Sequence, residues 1–288
     1  MRQIPAKLAV VVVLALTGGI AYGQEGSLTV PSVPPAHVAD PARLDVAQRL
    51  FYNGRYEEAA ALTLEPCVSG PDGLAACELR SSTLLFQIKR AFGEPPDKAK
   101  AWASCTVCAE LMPAFLAETA RGQLLARARL MKDADDEEAF FLLGKLNLNY
   151  VWLQLGTLGR KTGWKEYWEA RKSLDAVLKK NPGHVRARVA RAWIDYIVDT
   201  RMPRGTRWVL GGGDKKKGLR VVREAAAGSD ADIFARAEAG FALWDMQVRE
   251  KNLTGAVVTA RELAHDFPDN RELVKFLDAH PVAGQTSK

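Results

Sequence analysis

Few residues in this chain have the type and spacing that chemistry needs. Cys105-Thr106-Val107-Cys108 is a C-x-x-C motif, and at a helix start such a pair has a lowered thiol pKa suited to redox work. Here the helical pattern points to a start near Asp97, two turns earlier. The reading is therefore structural: buried small side chains or a plain disulfide. Haem attachment in its usual form is excluded, because Ala109 stands where C-x-x-C-H requires histidine. A four-cysteine zinc site stays open but poorly supported, since Cys67 and Cys77 lack the close ligand spacing typical of one. Gly211-Gly212-Gly213-Asp214-Lys215-Lys216-Lys217-Gly218 looks like a phosphate loop until Leu219, which stands where a P-loop continues with lysine and a hydroxyl residue. No strand precedes it either, so it reads as a turn in which Asp214 caps the next helix. His37, His184, His265 and His280 are scattered, with no H-x-x-x-H pair, and no G-x-S-x-G elbow occurs. The acidic residues Asp133, Asp135, Asp136, Glu137 and Glu138 crowd a helix start, where the dipole favours negative charge. His184, just after Pro182-Gly183, reads as a helix-entry residue. No catalysis, metal or cofactor is expected.

Charge and tryptophan are concentrated. Residues 160–223 hold 18 Lys or Arg against 6 Asp or Glu, a local net charge of +12, while the whole chain carries +6. Five of the seven tryptophans, Trp152, Trp164, Trp168, Trp193 and Trp208, lie in or beside this stretch. Basic residues interleaved with aromatics can bind nucleic acid. An exported protein rarely meets it, so an anionic lipid, a glycan or an acidic protein surface is the more natural partner. The plain alternative is a solvated helix face over a tryptophan-rich core. The candidate binding residues are Trp168, Arg201, Arg204, Arg207, Trp208, Lys215, Lys216 and Lys217.

Export is read from the first residues. Arg2 and Lys7 precede the apolar run Leu8 to Leu16, and Ala21-Tyr22-Gly23 is a small-x-small cleavage site, the pattern of a secretory signal peptide over 1–23. Residues 24–40, with three prolines, read as a disordered leader and 281–288 as a disordered tail. No other run reaches the ~18 apolar residues of a membrane span. The expected product is a periplasmic or secreted monomer or weak dimer. In such a compartment the four cysteines can be oxidised. A Cys67–Cys77 bridge is expected to pin the turn between the first two helix pairs.

The elements that must carry these residues are helical throughout, from residue 41 to 280. Alanine is followed twelve residues later by proline at Ala59–Pro71, Ala101–Pro113, Ala170–Pro182 and Ala256–Pro268, and Gly218–Asp230 is a degenerate copy. The small residue lets two helices approach and the proline ends the second one. The central unit runs from Asp135 to Pro182. No charge occurs from Leu146 to Gly159, so its first helix must be buried nearly all round. Its second helix is expected to bury Trp164, Trp168, Ala170, Leu174, Val177 and Leu178. The expected pairs are 42–53 with 56–66, 74–92 with 97–111, 136–159 with 164–180, 184–200 with 215–227, and 231–250 with 254–266. Additional helices are expected at 114–132 and 270–279, and Asp135 with Glu138 forms a candidate capping box.

Trp152-x2-Leu155-Gly156, followed by Ala170-x3-Leu174 and Pro182, resembles the tetratricopeptide repeat, as does Gly54-x-Tyr56-x-x-Ala59. Gly159 replaces the usual tyrosine, and the spacing of the anchoring alanines is irregular. The resemblance implies an all-α, TPR-like α-solenoid of about five irregular antiparallel helix pairs. It also implies a non-enzymatic scaffold that presents a concave face to a protein or peptide partner. The alternative is a small-ligand-binding accessory of a periplasmic solute transporter, with the ligand held between helices near Tyr150 and Trp152. A redox protein using Cys105 and Cys108 comes third. An adaptor needs an open groove and a ligand binder an enclosed apolar pocket.

Overall fold

The computed structural model describes residues 41–69, 73–228 and 232–281, all within one compact unit that spans His37–Lys288. The expected signal peptide, the leader, the tail beyond Pro281 and the closing residues Pro71 and Asp230 lie outside the described residues. Among the described residues there are twelve α-helices and no strand. They are α1 (Pro41–Tyr52), α2 (Tyr56–Ser69), α3 (Gly73–Phe92), α4 (Lys98–Ser104), α5 (Thr106–Lys132) and α6 (Glu137–Val151). The second half comprises α7 (Trp164–Lys180), α8 (Val185–Arg201), α9 (Lys215–Ala227), α10 (Ile233–Arg249), α11 (Leu253–Asp266) and α12 (Arg271–Ala279). None is long and apolar enough to cross a membrane.

Helix starts follow local chemistry. Asp97, Asp136, His184, Asp214, Asp232, Asn252 and Asn270 each accept a first-turn backbone N–H through the side chain. His184 does so through Nδ1, 3.2 Å from the Ala187 nitrogen. The central cap is Asp136, not Asp135. Asp136 accepts from Ala139 N–H at 2.9 Å, whereas Asp135 pairs with Lys180 and Glu138 with Arg129.

The second unit departs from the expected boundaries. One short helix ends and a long one begins at Cys105, and Pro113 lies inside α5 instead of stopping a helix. Cys105 caps both: its N–H reaches the Trp102 carbonyl and its sulfur accepts from Cys108 N–H at 3.3 Å. Pro66 is likewise carried inside α2. Here packing of a long helix outweighs the one hydrogen bond that each proline removes.

Consecutive helices pack on one another, with α5 taking the place beside α3 and α4 lying aside. α1, α3, α6, α8 and α10 form an inner row, backed by α2, α5, α7, α9 and α11. Small residues set the approach of the rows. Ala59, Ala170 and Ala256 have no accessible surface, and a Cβ on Gly218 would stand 2.8 Å from the Ala192 carbonyl. On α7 the buried stripe is Tyr167, Ala170, Leu174 and Val177. Trp164 and Trp168 are exposed instead. Trp168 stands two residues, about 200° of turn, from Ala170, so the two cannot share a face.

The row closes on itself, because α1 packs against α10. Tyr52 stacks on Phe241 with centroids 5.7 Å apart and meets Phe267 at 5.3 Å. Asn270 Nδ2 donates to the Tyr52 carbonyl at 2.7 Å, and Asp269 N–H donates to Asn53 Oδ1 at 3.1 Å. Residues more than two hundred positions apart thus complete one ring.

Candidate ligand cavity

Each inner helix turns one stripe, spaced three or four residues apart, toward a shared central cavity of about 300 Å³. The stripes are Glu78, Ser82, Phe86 and Lys89 on α3; Lys145 and Asn149 on α6, continued by Trp152 in the turn after it; Arg186, Val189 and Trp193 on α8; and Glu238, Phe241, Asp245 and Arg249 on α10. Phe51 and Tyr52 from α1, and Tyr56 at the start of α2, complete the wall. The volume lies at the small end of the ~300–1,000 Å³ range of ligand pockets.

One end of the cavity is a closed ionic network. Glu238 sits between Lys145 and Arg186, partly shielded from water, with Arg186 Nε 2.7 Å from its Oε2. Burial alone would raise the Glu238 carboxyl, but Lys145 and Arg186 outweigh it and hold it down at about 2. The same burial acts against the Arg186 cation and is outweighed by Glu238, which lifts the guanidinium above its ordinary value. Glu78, also buried, accepts from Ser82 Oγ at 2.9 Å. Asn149 donates to Ser82 at 3.0 Å and ties α6 to α3.

Beyond this floor the wall is aromatic. Trp152 stacks on Trp193 at 5.2 Å with only 8° between planes, and Trp193 stacks on Tyr196 at 5.5 Å. Trp152 opens a π-helical turn, Trp152–Thr157, that extends α6. Leu158 N–H reaches back to the Leu153 carbonyl at 2.9 Å, the long pattern of a widened turn. Lys89 Nζ lies 4.6 Å from the Phe86 centroid and 5.1 Å from that of Trp152. Burial pushes its ammonium below the ordinary lysine range, although Asp245 pulls the other way.

The sequence candidates separate. Trp152 is in the cavity wall. Tyr150 packs instead with the apolar cluster of Phe115, Leu153 and Leu158. Trp168 lies outside, in edge contact with Tyr167 at 5.3 Å. The basic loop is folded back on α8: Arg207 pairs with Asp199 and donates to the Met202 carbonyl at 3.0 Å. Lys215 pairs with Glu250 at 2.8 Å. Arg201, Arg204, Lys216, Lys217 and Trp208 are exposed, Trp208 to 77%. Much of the local charge excess is therefore met by carboxylates from distant sequence, among them Glu238, Glu250 and Asp135.

Disulfides join Cys67 to Cys77 and Cys105 to Cys108. Glu118 lies close enough to Cys67 and Cys77 for the three to suggest a metal site. The disulfide consumes the thiolates that such a site needs, and Glu118 pairs with Arg80 and Arg121.

Phe51, Tyr52, Phe86 and Lys89 escaped sequence reasoning. The available signal was a stripe of α3, Glu78, Ser82, Phe86 and Lys89, that sets charged and hydroxyl residues on the face a paired helix should bury. No family model, no curated protein and no solved structure matches the chain.

Proposed function

We propose that this chain is an exported, non-catalytic ligand-holding protein: a TPR-like ring of helix pairs that encloses a small, largely apolar molecule. The observation that carries this reading is the convergence of aromatic side chains from four inner helices and the turn after α6 on one cavity. An adaptor of the usual solenoid kind uses an open concave face for its peptide. Here that face is drawn inward by the contact of α1 with α10. The role then fits an accessory of small-solute handling, with export consistent with two disulfides. Intrinsic fluorescence tests it, because Trp152 and Trp193 are in the wall. Apolar small molecules should alter that emission and raise the melting temperature of wild type, and replacing Trp152 by alanine should weaken both responses. A library of such compounds that leaves both signals unmoved would reject the reading.

A scaffold role has its own support on the outer surface. Trp208 and Val209 are exposed beside Arg201, Arg204, Lys216 and Lys217, for which no carboxylate partner is found among the described residues. Loops on a rigid frame are where binding residues gather. This surface suits an acidic protein partner, held in a salt-dependent way. Retention of envelope proteins by the mature chain should fall when Lys216 and Lys217 are changed to glutamate. Equal retention by both forms would return the loop to a solvated face.

A further inference from the structure

We infer that the cavity ligand is a monocarboxylic acid with an apolar body, its carboxylate held by Lys89 and its body laid against Phe86, Trp152 and Trp193. This deepens the cavity reading and rests on it.

The inference starts from a census of charge in the wall. Lys145 and Arg186 share Glu238, and Arg249 Nε is 2.7 Å from Asp245. Lys89 is the cavity cation left over: among the described residues no carboxylate comes within ion-pair distance of it. Asp245 and Glu272 act on it only through space, and Arg249 opposes them. Two rings lie against it, Phe86 and Trp152, which attract a cation but accept no hydrogen bond from it at full strength. An ammonium taken from water without an acceptor is disfavoured, and a ligand anion supplies what is missing.

Glu78, the wall carboxylate that lacks an ion pair, accepts from Ser82 and feels the Arg186 charge. It also stands eleven residues before Lys89 on α3, roughly 16 Å along the helix. The two ends of the cavity are therefore chemically distinct.

A single lysine favours a carboxylate over a phosphate, which proteins commonly hold with arginine forks or several cations at once. Stacked Trp152 and Trp193, with Phe86 beside them, offer the rest of the acid an apolar surface.

The test uses three probes of one shape: 4-phenylbutyrate, its neutral amide and 4-phenylbutylamine, titrated calorimetrically into the mature protein. The acid should bind at least about tenfold tighter than the amide, the least that one charge-assisted hydrogen bond provides. The amine should bind most weakly. Lys89→Met should bind acid and amide alike while melting no lower than wild type without ligand, because the substitution removes a poorly solvated charge. Lys89→Arg should keep the preference for the acid. Equal affinity of wild type for acid and amide, or a preference for the amine, would overturn the inference and leave the cavity reading standing. Absence of binding by all three at millimolar concentration would overturn both.

Discussion

Ala170 has no accessible surface, and its carbonyl lies 3.5 Å from where a side chain on Gly144 would begin. The α6–α7 contact is thus set by two small residues, and Ala170→Leu should lower stability by about 1–3 kcal/mol through overpacking. Chemical denaturation measures this, and a wild-type midpoint would show that α7 can shift to make room. Glu238 acts through charge. Glu238→Gln would leave Lys145 and Arg186 with no full counter-charge, a loss of about 1–3 kcal/mol, less than for a fully buried pair because water still reaches these side chains. Because the folded carboxyl is held at about 2 against an ordinary 4.5, its contribution is complete above the ordinary value and is lost as pH falls toward 2. Wild type should therefore lose more stability than Glu238→Gln across that acid window. Urea midpoints at neutral pH and near pH 3 make the comparison, and parallel losses would contradict the assigned charge network.

At the scale of elements, helix ends were easier to read than helix continuity. Asp214 and His184 stand at their caps because short polar side chains satisfy the first free N–H groups wherever the fold lies. Pro113 misled, since the sequence shows the missing donor but not the packing of α5 on α3 that carries the helix past it. Cys105 marks the real break. The Cys67–Cys77 bridge joins the end of α2 to the start of α3 and closes a separation of ten residues. Replacing both cysteines by serine should reduce stability by roughly 2–3 kcal/mol by the loop-closure argument. Thermal melts of the variant against oxidised wild type measure this, and an unchanged melting temperature would show that the bridge adds nothing.

For the whole molecule, Asn270 is the fastening of the ring. It is buried, caps α12 through Glu272 and Leu273 N–H, and donates to the Tyr52 carbonyl. Asn270→Ala should remove a cap and leave a buried carbonyl unpaired, at about 1–3 kcal/mol. Its distinctive effect should be spatial: faster amide exchange in α1 and α12, with α6 and α7 unchanged, and weaker binding in the cavity. Uniformly faster exchange would mean that the ring opens only with global unfolding.

The helix pairs were legible because the periodicity of apolar residues, the small residues at close approaches and the cap residues all act within a turn or two of chain. The uncharged run from Leu146 to Gly159 was expected to be buried nearly all round, but Gly156 and Gly159 are exposed and α3 is the more enclosed helix. Tyr150 and Trp168 show the limit of that reading, since composition made them candidates while helical phase sent one into the core and the other outward. The cavity itself was decided in three dimensions. Lys89 becomes a solitary cation only once Glu238 has been claimed by Lys145 and Arg186. It faces a shared cavity only because α1 meets α10. Both depend on contacts between residues scores of positions apart, and no local pattern encodes which of many similar helix faces will close on one another.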